Sequence, residues 1–375
     1  VGRLEVGMKF TIARDRLLKA LQLATGVVER RQTLPVLANL LIRADENGVA
    51  LTGTDLEVEM VAHTNVDVEQ PGEITIPARK LADIWRALPD GADVSVSAEG
   101  DRSTIKSGRS RFTLATLPAN DFPQIEGGET DVVVSVAQAD LRALIDQVGF
   151  AMAQQDVRYF LNGMLFEVTE EHLRTVATDG HRLAMCTKGC TLETPITVRR
   201  QAIVPRKAVL ELGRLLDEED EAIRIQLGSN HLRVTKGPFT LTTKLVDGQF
   251  PDYDKVVPKD ASRTLIGDRD SLRQGFQRAS ILSNEKYRGV RLAIAADQLT
   301  IQANNPEQEE AEEVVAVEFS GSDLEIGFNV SYLLDVLGVM AADGVKLSVS
   351  DANSSALLES SRSDDALYVV MPMRL

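Results

Sequence analysis

The residues best able to do chemistry stand in one short run, Thr178-Asp179-Gly180-His181-Arg182. A carboxylate beside an imidazole is part of a hydrolytic charge relay, and Ser283 or Ser355 would have to supply the nucleophile. Neither serine stands in a nucleophile elbow. Asp179 has a plainer use, because side chains of its type bond local backbone in turns. Thr54-Asp55 and Asn304-Asn305 are polar pairs of the same kind at the ends of strand-like runs. The other histidines, His63, His172 and His231, show no metal-ligand spacing. No Walker-type loop or Gly-x-Gly-x-x-Gly is present. Cys186 and Cys190 are too few for a disulfide framework or a four-ligand zinc site, and read as reduced thiols of a cytoplasmic protein. Glu307, Glu309, Glu310, Glu312 and Glu313 offer oxygens to a divalent cation, but read first as a solvated face. The expectation is no catalytic residue, no metal and no cofactor.

Charge is unevenly placed. The net value of −15 argues against a nucleic-acid binder, yet the helical stretches are locally basic. Arg14, Arg16 and Lys19 lie on the first, with Arg30 and Arg31 just beyond. Arg79, Lys80 and Arg86 lie on a later one, and Arg206, Lys207 and Arg214 on its counterpart. Acid concentrates in Asp217-Glu218-Glu219-Asp220-Glu221 and in the run 307–313. Distribution decides what a surface attracts, more than the sum. A composition of 43% hydrophobic and 26% charged residues is that of a soluble globular protein. No apolar run approaches the roughly 18 residues of a membrane span, and no secretory leader pattern is seen.

The elements that position these residues are written three times. A helical apolar stripe at Leu17, Leu21 and Ala24 returns at Leu141, Ile145 and Val148, and again at Leu272, Phe276 and Ala279. The steps are roughly 125 residues, the size of a whole domain rather than a solenoid unit. Each copy closes on an apolar residue and a proline: Phe122-Pro123, Phe250-Pro251, Met371-Pro372. Within a copy the pattern runs β-α-β-β-β twice. Asn47-Gly48 marks a hairpin, and Pro89-Asp90-Gly91 stops the second helix. The spacing predicts an α+β protein of three tandem domains, two helices packed on antiparallel sheets in each. The bounds are 8–128, 129–259 and 260–375, with residues 1–7 read as an expression scar. End strands of neighbouring copies are free to pair edge to edge.

At this point the chain resembles the bacterial DNA polymerase III beta subunit family, the replicative sliding clamps, in a gammaproteobacterial version. The matching segments include Leu51-Thr52-Gly53-Thr54-Asp55-Leu56-Glu57, the stretch from Gln155 to Phe166, and Val176-Ala177-Thr178-Asp179-Gly180-His181-Arg182-Leu183. They continue with Phe250-Pro251-Asp252-Tyr253, the stretch from Asn304 to Glu313, and Tyr368 through Leu375. The resemblance implies a ring-forming, head-to-tail homodimer of DNA-clamp domains, helices lining the hole. It implies a non-catalytic processivity factor on double-stranded DNA, placed there by a clamp loader. Its partners would be the polymerase alpha subunit and other clamp-binding-motif proteins, in the cytoplasm and off membranes.

The resemblance also implies sites. Arg31, Arg79, Gln155, Tyr159, Phe160, Arg206 and Lys207 would touch DNA. Leu161, Thr178, Gly180, His181, Arg182, Leu183, Pro251, Lys255, Val256, Asn329, Tyr332, Ser355, Val369, Met371 and Met373 would form the partner-peptide groove. Phe112 and Leu114 would meet Ile281 and Leu282 across the dimer interface. Phe160 stands where the family often has tyrosine, and Lys255 where arginine is common; lysine keeps the charge but loses the planar fork. Two rival readings are a hydrolase built on Asp179 and His181, and a polysaccharide- or peptide-binding scaffold.

Overall fold

The computed structural model describes residues 7–31, 33–125, 127–363 and 365–374. Of the stretch 1–7 read as an expression scar, Gly7 alone is among the described residues, and Leu375 lies outside them.

The order of strands and α-helices is the same in all three copies. The first copy is β1 (Met8–Ala13), α1 (Arg14–Gly26), β2 (Asn39–Asp45), β3 (Gly48–Thr54), β4 (Val58–Thr64), β5 (Val68–Gln70), β6 (Gly72–Pro77), α2 (Ala78–Ala87), β7 (Asp93–Glu99), β8 (Arg102–Ser107) and β9 (Ser110–Ala115). The second is β10 (Thr130–Ala137), α3 (Gln138–Asp146), β11 (Gly163–Val168), β12 (His172–Thr178), β13 (Arg182–Gly189), β14 (Thr191–Leu192), β15 (Arg200–Pro205), α4 (Arg206–Leu215), β16 (Ala222–Gly228), β17 (His231–Lys236) and β18 (Phe239–Lys244). The third is β19 (Arg263–Asp268), α5 (Arg269–Ser280), β20 (Gly289–Ala295), β21 (Gln298–Asn304), β22 (Glu310–Ala316), β23 (Glu318–Ser320), β24 (Leu324–Asn329), α6 (Val330–Val339), β25 (Gly344–Val349), β26 (Ala356–Ser360) and β27 (Ala366–Val370).

Local chemistry explains the elements. In β1, Met8, Phe10 and Ile12 are buried while Lys9 and Thr11 face water, the period of two of a half-buried strand. The stripes Leu17–Leu21–Ala24 and Leu272–Phe276–Ala279 are buried along α1 and α5. Asp268 caps α5 by accepting from the Ser271 N–H at 2.8 Å, and Asn329 caps α6 through Ser331 at 2.9 Å. One stripe departs from expectation. Val148 lies just beyond the end of α3, yet is fully buried. The short strands β5, β14 and β23 were not legible either, because two or three residues carry no alternation.

The halves of a copy exchange first strands. β1 pairs with β7 instead of β2, and β6 pairs with β2. Each copy thus holds a five-stranded sheet, β5-β1-β7-β8-β9 in the first, and a four-stranded one, β4-β3-β2-β6. Edge pairing then fuses neighbouring copies. β18 joins β4, with Phe239 opposite Ala62 and Leu241 opposite Met60. β27 joins β13, with Val369 opposite Leu183 and Val370 opposite Arg182. Two nine-stranded sheets result.

Contacts divide the chain into two compact units. One holds residues 1–138, 191–196 and 207–245; the other holds 139–190, 197–206 and 246–375. The second copy is therefore shared between them. In the first unit, Trp85 is fully buried and donates to the Arg14 carbonyl at 2.9 Å, while Arg14 Nε donates to the Trp85 carbonyl at 3.1 Å. This reciprocal pair fastens α2 to the start of α1. Among the described residues no helix is long and apolar enough to cross a membrane.

Candidate functional site

The repeated polar pair is a turn device. At the end of β12, Thr178 Oγ1 donates to the Arg182 carbonyl at 2.7 Å. Asp179 Oδ1 accepts from the backbone N–H groups of His181 at 2.9 Å and Arg182 at 3.1 Å. At the end of β3, Thr54 and Asp55 make the equivalent bonds to Val58 and Glu57. At the end of β21, Asn305 Oδ1 accepts from the Glu309 N–H at 2.9 Å. The other oxygen of Asp179 accepts from Arg182 Nε at 3.2 Å. The His181 ring stacks on Tyr332, centroids 6.3 Å apart. Ser283 is buried and donates to the Ser280 carbonyl. Asp179, His181 and Ser283 are thus engaged in turns and packing.

Arg182 is the hub of the candidate groove. Its guanidinium lies 4.6 Å from the Tyr332 ring and 5.1 Å from that of Phe150. It also donates to the Phe150 carbonyl at 3.2 Å and pairs with Asp335. Burial raises the Tyr332 phenol above its usual range. The chain end closes the site: the Met371 N–H donates to the His181 carbonyl at 3.0 Å and the Met373 N–H to Gly327 at 2.8 Å. Ser355 immediately precedes Ala356, which pairs with Val370. On the far side, Phe250 and Tyr253 enter the same apolar cluster as Leu183 and Val369 and so hold Pro251, Lys255 and Val256 in place. Tyr253 donates to the buried Glu167 at 2.8 Å.

The apolar members differ in exposure. Met371 is 48% exposed and Val256 45%, whereas Leu161, Leu183 and Val369 are buried. Those three belong to the core beneath the surface, so only their neighbours offer open apolar contact. Lys255 is exposed and paired with Asp252 at 3.0 Å. Sequence reasoning missed Phe150 and Asp335. Asp335 was accessible to it, three residues beyond Tyr332 on one face of α6; Phe150 left no periodic trace.

The candidate DNA residues fall into two groups, one in each unit. In the first, Arg31 is exposed, Arg79 Nη2 donates to the Val28 carbonyl at 3.4 Å, and Lys207 Nζ donates to the Val27 carbonyl at 2.9 Å. Lys207 also pairs with Glu29 and Asp55. In the second, Gln155 adopts a positive φ of 55°, and Tyr159 is 56% exposed with its ring edge-on to Phe160. The Arg206 N–H donates to the Asn162 carbonyl at 3.0 Å. Of the dimer candidates, Phe112 and Leu114 lie half-buried on β9, Ile281 is 76% exposed after α5, and Leu282 is half-buried.

The acidic clusters have protein partners. Asp217, Glu219 and Glu221 draw together around Lys236 Nζ, at 2.7, 3.7 and 2.9 Å. The ammonium stands where a metal would. On β22, Glu313 accepts from Arg278 at 2.8 and 2.9 Å, and Glu312 from Gln302. Cys186 and Cys190 are free thiols, and burial pushes Cys186 up to about 11.

Tandem α+β copies, each of two helices on antiparallel sheets and fused to the next through sheet edges, define a DNA-clamp type of fold. Comparison with known proteins agrees. Models of the DNA polymerase III beta subunit match as its N-terminal domain over residues 8–126, its central domain over 135–252 and its C-terminal domain over 254–374. The beta sliding clamp of Pseudomonas putida is 58% identical and that of Escherichia coli 52%, each across 98% of this chain and the whole of the relative. The crystal structure of the Pseudomonas aeruginosa sliding clamp bound to griselimycin superposes with a TM-score of 0.95 at 58% identity, over 98% of this chain and all of that one. The chain belongs to the DNA polymerase III beta subunit family, the beta sliding clamps, with three beta-subunit domains in tandem.

Proposed function

We propose that the chain works as a replicative sliding clamp: a head-to-tail homodimeric ring that encircles duplex DNA without reading its sequence. It would be placed there by a clamp loader and tether the polymerase alpha subunit and other clamp-binding-motif proteins, in the cytoplasm and with no reaction chemistry of its own. The working divisions are domains 8–128, 129–259 and 260–375.

The observation that carries this reading is the repeated sheet joint. Twice, the last strand of a five-stranded sheet pairs with the preceding copy's four-stranded sheet, at β18–β4 and at β27–β13. Repetition leaves one donor edge and one acceptor edge of this type unused, β9 and β22. Unlike edges that match in kind make a heterologous, head-to-tail contact, which forms a ring where the rotation between copies closes. A second copy supplies the missing partners, with Phe112 and Leu114 on β9 meeting Ile281 and Leu282.

Arg31, Arg79, Gln155, Tyr159, Phe160, Arg206 and Lys207 are the proposed phosphate-side contacts. Phosphate contacts position a protein without specifying sequence, as sliding requires. The Thr178–Leu183 turn, the segment from Pro251 to Val256, Asn329, Tyr332, Ser355 and the chain end are the proposed peptide groove, over the buried floor of Leu161, Leu183 and Val369. The deciding experiment is topological. The protein, loaded with a clamp loader, should stay on nicked circular DNA through gel filtration and leave once the circle is linearised. Equal retention on both forms would favour an ordinary binder. Deletion of Met371–Leu375 tests the groove: a labelled peptide bearing Gln followed by apolar and aromatic residues should lose binding while the dimer persists.

A further inference from the structure

Asp156 organises the loop that carries Gln155 and Tyr159. Its N–H donates to Asn162 Oδ1 at 3.0 Å, and Asn162 Nδ2 returns a bond to its carbonyl at 3.0 Å. The Asp156 carboxylate accepts from the Arg158 backbone N–H at 2.8 Å, from Nε at 3.0 Å and from Nη2 at 2.8 Å. Those bonds hold the Asp156 carboxyl at about 2. From this mount the Arg158 guanidinium reaches the neighbouring turn, where Nη2 donates to the Asp179 carbonyl at 3.4 Å. Gly180 has a φ of 88°, and a Cβ there would meet Arg158 Nη1 and Nη2 at 3.1 Å. Asn162 also accepts from the Arg206 N–H. One continuous set of bonds thus runs from Arg206 through Asn162, Asp156 and Arg158 to the turn bearing His181 and Arg182.

We propose that Arg158, mounted on Asp156, is a positioning residue that energetically couples DNA on the Gln155–Tyr159 loop to peptide in the groove. The inference rests on the clamp reading above. The bonds are contiguous from the loop to the turn, so a shift of the loop on binding is felt at the groove. A guanidinium suits the role because its planar fork serves the carboxylate and the turn at once, which an ammonium does not.

The test is a thermodynamic cycle on the full-length dimer. A fluorescein-labelled peptide of Gln followed by apolar and aromatic residues is titrated with and without saturating short duplex DNA. In the wild type, DNA should shift the peptide Kd by about fivefold or more, and peptide should shift the DNA Kd by the same factor. Arg158→Met and Asp156→Asn should bring that factor close to one. Arg158→Lys keeps the charge and should also lose coupling, and it serves if the methionine variant folds poorly by circular dichroism. A wild-type factor of one with both ligands bound overturns the coupling alone. An undiminished factor in Arg158→Lys or Arg158→Met overturns it as well. Failure of the wild type to bind either ligand overturns the clamp reading and this inference together.

Discussion

Gly53 shows how one residue type is dictated by a neighbour's backbone. It precedes the Thr54-Asp55 pair, as Ala177 and Ala303 precede the other two pairs. A Cβ on Gly53 would stand 2.1 Å from the Ala24 carbonyl oxygen, so in this copy the end of α1 leaves no room for a methyl. Gly53→Ala should therefore lower stability by about 1–3 kcal/mol, the range for overpacking. An unchanged denaturation midpoint would refute the close approach. His231 makes a pH prediction. Its ring is buried, accepts from the Gly128 N–H and lies beside Asn230. Burial, then nearby Arg233, lowers its pKa. Above the ordinary value of about 6.5 both states are neutral and the full stability is present. As pH falls below that, the unfolded chain takes a proton that the folded one resists, so stability drops until the lower folded value is passed. His172 is lowered likewise, so His231→Gln should reduce the slope of Tm between pH 7 and 5 without abolishing it.

At the scale of elements, α4 meets the C-terminal end of α1. Lys207, in the first turn of α4, donates to the Val27 carbonyl just past α1 and pairs with Glu29 and Asp55. A cation at a helix C-terminus also meets the negative end of its dipole. Lys207 reaches a DNA phosphate only by giving up these bonds, whereas Arg31 stands exposed. Lys207→Met should cost about 1–2 kcal/mol of stability through the groups it leaves unpaired. Arg31→Ala should leave stability unchanged and flatten the salt dependence of DNA binding by about one unit. If Lys207→Met flattens the slope as much and keeps full stability, phosphate is its principal partner.

At the scale of the molecule, edges join the copies within the chain, β18 to β4 and β27 to β13. β22 is an edge strand bearing Glu310, Glu312 and Glu313, with Val314 half exposed. Charge on an edge discourages indiscriminate pairing and leaves a specific mate to be chosen. Ile281, 76% exposed, is no core residue of its own copy. Ile281→Ala with Leu282→Ala should convert dimers at micromolar concentration to folded monomers by sedimentation. A double variant that unfolds would instead place these side chains in the core of one chain.

Periodicity along the chain determined the tandem architecture, the α+β class and nearly every helix and long strand, because alternation and the 3.6-residue stripe are local consequences of burying one face. The Thr-Asp turns were legible for the same reason, since their bonds close within four residues. Tertiary structure alone decided which strands pair. That β1 leaves its own half for β7, and that β18 crosses to β4, depends on edges far apart in sequence, and burial alternation within a strand does not name its mate. The groove followed the same division. His181 and Arg182 drew attention by type, but Phe150, Asp335 and the Arg158 mount became partners only when packing brought them to one turn. Side-chain partnerships of this reach are set by the meeting of surfaces, for which a single sequence carries no period.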